Sequence, residues 1–317
     1  MAFRSTIRKH FESSLPGRHI IGRSRKTYLP GFDGFSLYEV LIAFIRQLRR
    51  TSLTERASGI AFNIIMALPP TLIFVFTLIP YLPISKEFLN QMFDLIRDVV
   101  PGEKNNAVII NFLRDFVDRP RNELLSFGLF LAIIFSSNAM MGVLSSFEKD
   151  YPGFSKRKMI RKRGVALLLT LIVFSLIFVC ILLLIAQANV LRWLGVESEM
   201  WRNIIHDTRW VLILLLTFFI VSFIYKHGPS VAKKWPLLNP GSVFATTLMI
   251  LATFLVTYWV DHFSNYNKVY GSIGAIFILM SLIYANSLAV LMGFELNVTL
   301  SHLRQEKERL ASGERQG

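Results

Sequence analysis

The chain has 317 residues, is 53% hydrophobic and carries 35 Lys and Arg against 21 Asp and Glu, for a formal net charge of +14. An apolar fraction of this size, gathered in long uncharged runs, excludes a disordered or collagen-like chain and fits a protein that crosses a membrane several times. The only cysteine, Cys180, excludes an intrachain disulfide and a cysteine-built metal cluster, and the basic excess matches what topology asks of cytoplasmic loops, so it does not by itself point to nucleic acid.

Residues 1–35 hold Arg4, Arg8, Lys9, Arg18, Arg23, Arg25 and Lys26 among Gly, Ser and Pro with no sustained period, and read as a flexible basic tail. The first 56 residues carry no short apolar core with a small-residue cleavage site, so membrane entry is expected to depend on an uncleaved first span. In residues 36–56, Leu37, Val40, Leu41, Phe44 and Leu48 share one helical face, and Arg46, Arg49 and Arg50 follow at its end. This is an amphipathic helix suited to the interface of an anionic leaflet. A helix packed against the protein has the same periodicity.

Residues 57–300 read as a membrane domain of six helices. The first span, at about 57–81, has Pro69 and Pro70 at its middle. Two prolines in succession remove two amide donors and free the carbonyls of Ile65 and Met66, which predicts a kink or a break. Inside a bilayer such carbonyls need protein or water beside them, so a broken helix would line a polar cavity, whereas a kinked one would simply pack. Residues 86–119 carry Phe88, Met92, Leu95, Ile96 and Val99 before Pro101 and Gly102, then Ile109, Phe112, Leu113 and Phe116. They predict a short pair of amphipathic helices on the outer face.

The second span, about 124–147, contains Ser136, Ser137 and Asn138, residue types that usually bond between helices. A loop at 148–164 with seven basic residues leads to the third span at 165–190. The fourth span covers 210–225, a loop at 226–241 holds Lys226, Lys233, Lys234 and Trp235, and the fifth span covers 242–260. The last is the clearest, because 271–294 contains no Lys, Arg, Asp, Glu or His. A hydrocarbon core of ~30 Å takes ~20 helical residues, and only a helix pairs its own amides within one segment. Residues 301–317 form a charged cytoplasmic tail. Segments 1–56, 148–164, 226–241 and 298–317 together hold 25 of the 35 Lys and Arg, which predicts cytoplasmic N and C termini. Trp193, Trp201, Trp210, Trp235 and Trp259 all fall beside predicted interfaces, as an aromatic belt does.

Three groups of residues are candidates for function. A substrate cavity beside Pro69 and Pro70 would be lined by Asn63, Asn138, Tyr284 and Asn286. An outer-face polar site would combine Asp261 and His262 with Gly271 and Gly274, whose amides could meet an anion, although a solvated helix end for the first two and close helix packing for the glycines are the favoured readings. Glu295 falls at the cytoplasmic end of the last span. Asp261 and Glu295 both lie near interfaces, which argues against a proton relay of carboxylates at the midplane. There is no HExxH, GxxxxGK[ST] or GxSxG, and the six histidines lack ligand spacing, so no catalytic residue, metal or cofactor is expected.

The pattern Tyr270-Gly271-Ser272-Ile273-Gly274-Ala275, a long apolar helix, and then Leu291-Met292-Gly293-Phe294-Glu295-Leu296-Asn297 resembles the closing motif of the YihY/BrkB family of bacterial inner-membrane proteins. The small-residue stretch from Ala57 to Pro70, Gly228-Pro229 and Gly241 are weaker matches, and the similarity covers about 37–300. Ala285 and Asn286 replace bulkier aromatics, and Pro70 doubles a usual single proline, so the cavity is expected to differ in shape. The resemblance implies a six-helix inner-membrane fold, links to serum resistance and envelope lipid export, and an old ribonuclease label. The chain is therefore expected to be an all-α, multi-pass inner-membrane protein that transports or flips a lipophilic or amphiphilic anionic substrate. The alternatives are a non-transporting scaffold of envelope biogenesis and, with least support, an RNA-cleaving enzyme. Expected partners are membrane lipids, above all anionic headgroups at the basic loops, with no nucleic acid and with a homo-oligomer left open.

Overall fold

A computed structural model describes residues 27–81, 122–148, 154–155, 157–193, 199–231, 234–262 and 265–311. The outer-face pair expected at 86–119, most of the basic tail and residues 312–317 lie outside the described residues. Among those described, seven α-helices follow in order: α1 (Leu37–Arg50), α2 (Leu53–Leu78), α3 (Asn122–Phe147), α4 (Met159–Trp193), α5 (Glu199–His227), α6 (Pro240–His262) and α7 (Asn265–Ala311). Five of them, α2, α3, α4, α6 and α7, contain stretches long and apolar enough to cross a bilayer, and α5 carries a shorter apolar run, Val211–His227.

Helix α1 begins where its sequence says it should. Ser36 and Glu39 form a reciprocal capping box, the Glu39 amide donating to Ser36 Oγ and the Ser36 amide to Glu39 Oε2. The helix ends at Arg50, with Thr51 extended and its hydroxyl donating back to the carbonyls of Gln47 and Leu48. Helix α2 restarts at Leu53, so the segment expected as one amphipathic helix over 36–56 is instead a helix, a two-residue joint and the first turn of the span. The apolar stripe of α1 is also divided. Val40 and Phe44 are buried with Phe32, Leu296 and Leu300, while Leu41 and Ile45 stay exposed.

The last part of the expected flexible tail is folded. Gly31, Asp33 and Gly34 all take positive φ, which turns the chain so that Phe32 enters this small core. Asp33 then ion-pairs with Arg304, and Lys307 sits over the Phe35 ring, 5.3 Å from its centroid. Helix α7 does not stop at residue 300. It has 47 residues, about 70 Å of helix, and projects well past any hydrocarbon core at the end where it meets α1.

Of the two readings of the first span, a break or a kink at the prolines, the break is overturned. Helix α2 runs unbroken through Pro69 and Pro70 to Leu78 and closes in a 3-10 turn, Ile79–Tyr81. Just past the prolines the Thr71 hydroxyl donates to the Ala67 carbonyl and lies 3.3 Å from Ser136 Oγ on α3, a contact between the two helices.

The main core lies at one end of the bundle. It contains Ala57 and Ile60 at the start of α2, Met140, Val143, Leu144 and Phe147 at the end of α3, and Ala166 and Leu169 at the start of α4. To these are added Val221, Ile224 and Tyr225 at the end of α5, Ala245 at the start of α6, and Leu291, Phe294 and Val298 in α7. The described parts of the four segments rich in Lys and Arg therefore meet at the same end, called the basic end below.

Candidate functional site

At the basic end four rings gather around Phe294. Phe147 stacks on it with centroids 4.2 Å apart, Trp235 lies at 5.7 Å, Phe154 at 6.3 Å and Tyr225 at 6.5 Å. Trp235 is thus buried, with Nε1 donating to Ser301 Oγ, and is not part of an interfacial belt as expected from its position in the sequence. Two loops seal over the rings: the Ser155 amide donates to the Ser230 carbonyl, and Phe154 and Val231 form an isolated bridge. Arg157 donates to the carbonyls of His227, Gly228 and Pro229, which satisfies the C-terminus of α5. Burial pushes the Arg157 pKa below its ordinary value, and the nearby Glu148 charge opposes that shift.

Beside the rings Glu295 is fully buried. Its Oε1 accepts from Arg56 Nη1 at 2.5 Å and its Oε2 from Gln47 Nε2 at 2.9 Å, while Arg56 Nη2 donates to the Ser146 carbonyl. One carboxylate therefore ties α7 to α1 and α2, and its arginine reaches on to α3. A carboxylate without exposure is tolerable only when its charge is matched and both oxygens are bonded, and both conditions hold here. On the next turn Asn297 Oδ1 accepts from the Gly241 amide and its Nδ2 donates to Asn239 Oδ1, which in turn receives the Ser242 amide. These contacts satisfy the N-terminus of α6. Gly241 and Gly293 cross backbone to backbone: a Cβ on either would overlap the other's carbonyl oxygen, and one on Gly293 would also fall 2.6 Å from Tyr225 Oη.

A family model described as virulence factor BrkB matches residues 44–316. The chain belongs to the BrkB family. Its relatives include a ribonuclease-like protein, YfkH of Bacillus subtilis, 28% identical over 84% of this chain and 97% of the relative. A UPF0761 membrane protein of Tolumonas auensis is 22% identical over 84% of this chain and 89% of its own length. A UPF0761 membrane protein of Stenotrophomonas maltophilia is 24% identical over 81% of this chain but only 60% of the relative, so the chain spans less than two thirds of the Stenotrophomonas protein. No solved structure gives a significant match. With its several apolar helices, the chain is a multi-pass membrane protein of this family.

Within this BrkB chain the expected cavity residues are dispersed. Asn63 Nδ2 donates to the Gly59 carbonyl of its own helix and lies against Gly142 of α3. Asn138 Oδ1 accepts from Arg163 Nη1 at 2.5 Å. Asn286 Nδ2 bonds the Leu282 carbonyl, while its Oδ1 is buried without a hydrogen bond among the described residues. Tyr284 lies half-buried at the edge of the main core. Pro69 is exposed and Pro70 half-buried. Asp261 and His262 end α6, and Gly271 and Gly274 lie within the first turns of α7, where only their backbone is described. A pocket of about 440 Å³ occurs elsewhere, lined by Leu255, Val256 and Trp259 of α6 and Phe277, Ile278 and Ser281 of α7.

Sequence reasoning gave Glu295 only a position and overlooked Arg56 and Gln47 entirely. A signal was present: Arg56 borders the first span at the end where Glu295 closes the last, and a carboxylate just inside an apolar helix needs a cation at its own depth.

Proposed function

We propose that this BrkB chain is an inner-membrane transporter or flippase-like protein for a lipophilic or amphiphilic anionic substrate, and that its basic end faces the cytoplasm and is closed in this structure. The observation that carries the reading is the pocket between α6 and α7. They touch backbone to backbone at Gly241 and Gly293, and about three to five helical turns away Leu255 and Trp259 of α6 and Phe277 and Ser281 of α7 line the pocket. Beyond the core the same helices present large exposed apolar residues, among them Phe254, Tyr258, Ile276 and Met280. A groove that is sealed at one end, open along its side and lined almost wholly by hydrocarbon suits an acyl chain entering from the bilayer. A charged headgroup would be drawn to the Lys and Arg at the bundle's basic end.

The path proposed from this structure therefore follows the α6–α7 groove, and the asparagines of the sequence analysis are assigned mainly to helix packing. No catalytic chemistry is part of the proposal. The test is reconstitution into liposomes containing a phosphatidylglycerol with a fluorescent headgroup, with quencher added outside. The wild-type protein is expected to raise the rate at which inner-leaflet probe becomes quenched, and a groove-filling Ile278→Trp substitution should lower that rate. A rate equal to that of protein-free liposomes would reject transport of this class of lipid.

A further inference from the structure

Several features of the basic end converge on α1. Its buried edge, Val40 and Phe44, is packed into the small core with Leu296 and Leu300 of α7, and Phe44 meets Phe244 of α6 edge to face at 5.7 Å. The same helix delivers Gln47 to Glu295. Its opposite edge carries Leu41 and Ile45, 48% and 41% exposed, in line with Arg49 at successive four-residue steps, with Arg46 and Arg50 alongside, all three arginines exposed. A joint at Thr51 and Ser52 separates this helix from α2, which holds Arg56. Arg56 Nε is buried and makes no hydrogen bond among the described residues, so the Glu295 site is held by a set of contacts that is not fully satisfied.

We propose that α1 is a sensor of anionic membrane surface and that Gln47 is the contact through which it keeps the Glu295–Arg56 latch shut. Leu41 and Ile45 enter the interface of the leaflet while Arg46, Arg49 and Arg50 meet its phosphates, and charge complementarity selects an anionic lipid surface as the occupant of this face. Seated in this way, α1 holds Gln47 against Glu295 Oε2. On a neutral surface the arginines lose their partners, the Thr51–Ser52 joint lets α1 lift, and Glu295 loses one of its hydrogen bonds. The latch then loosens at the turn of α7 that carries Phe294. This inference depends on α1 facing a leaflet and is independent of whether the protein moves any substrate.

The experiment compares hydrogen exchange of the full chain in nanodiscs of phosphatidylcholine alone and of phosphatidylcholine mixed with phosphatidylglycerol. Backbone amides at 293–300 are expected to exchange about tenfold or more faster in the neutral discs, because each arginine contributes separately to anchoring, whereas amides at 282–288 should not change. Arg46→Ala/Arg49→Ala/Arg50→Ala should show the fast rate in both discs. Gln47→Leu should abolish the lipid dependence while α1 itself still binds anionic vesicles. Equal exchange of the wild-type protein in the two discs would overturn the sensor. A lipid dependence that survives Gln47→Leu would overturn the route through Gln47.

Discussion

Glu295 differs from the other carboxylates of the described chain in having no exposure, a matched cation and a neutral donor on its second oxygen. Pairs of this kind return little net stability when formed, because desolvation consumes most of the Coulomb attraction, yet breaking one leaves a bare charge in a dry site. Glu295→Gln and Arg56→Met are therefore each expected to destabilise the folded chain by about 3–5 kcal/mol. The double variant should cost clearly less than the sum of the two, as read by denaturant titration in detergent micelles. Gln47→Leu removes a hydrogen bond to a charged group and should cost about 1–3 kcal/mol. An exposed pair would lose no more than about 1 kcal/mol, so the size of the single-variant effect decides between a buried latch and a surface contact.

The α6–α7 crossing belongs to the scale of whole helices, because its geometry follows from two residues that lack a side chain. Gly241→Ala and Gly293→Ala must each push the two backbones apart, and each is expected to cost about 1–3 kcal/mol in the same titration. Gly59 and Gly164 are also helical, but a Cβ there meets nothing within 4 Å, so Ala at those sites should be neutral or stabilise by up to about 1 kcal/mol. This contrast shows how much of the fold could be read in advance. Apolar runs had to become helices because a bilayer leaves their amides no other partner, so the membrane-crossing character of α2, α3, α4, α6 and α7 was legible in composition. The change of pattern at residue 36 likewise marked the start of α1, where the structure adds the Ser36–Glu39 capping box. What composition does not contain is which faces meet. Two prolines free the same carbonyls whether a helix breaks or continues, and hydroxyls at Thr71 and Ser136, 65 residues apart in sequence, lie together where it continues. Trp235 belongs to an interface by position and to the core by contact, because Phe154 and Phe294 are brought to it by other helices. The asparagines looked like a cavity lining because they lie in apolar spans, and in the folded chain each bonds the helix beneath it or an adjacent arginine.

At the scale of the molecule the decisive property is asymmetry along the bundle. The aromatic cluster, the buried ion pair, the Asn297 network and the two paired loops all lie at the basic end, and towards the other end the apolar helices become increasingly exposed. Loops rich in Lys and Arg resist translocation, so this sealed end should be the cytoplasmic one, with the α6–α7 pocket lying towards the opposite leaflet. The orientation can be checked with single cysteines introduced in a Cys180→Ser background. Ser155→Cys and Leu310→Cys place exposed thiols in a basic loop and near the end of α7. An impermeant maleimide should label both in inside-out vesicles and neither in intact spheroplasts. The reverse pattern would put the sealed end outside, and the α6–α7 groove would then open towards the cytoplasmic leaflet. The direction of any lipid movement inferred from the groove would reverse with it, and α1 would face the outer leaflet, so a single labelling experiment fixes which membrane surface the latch can read.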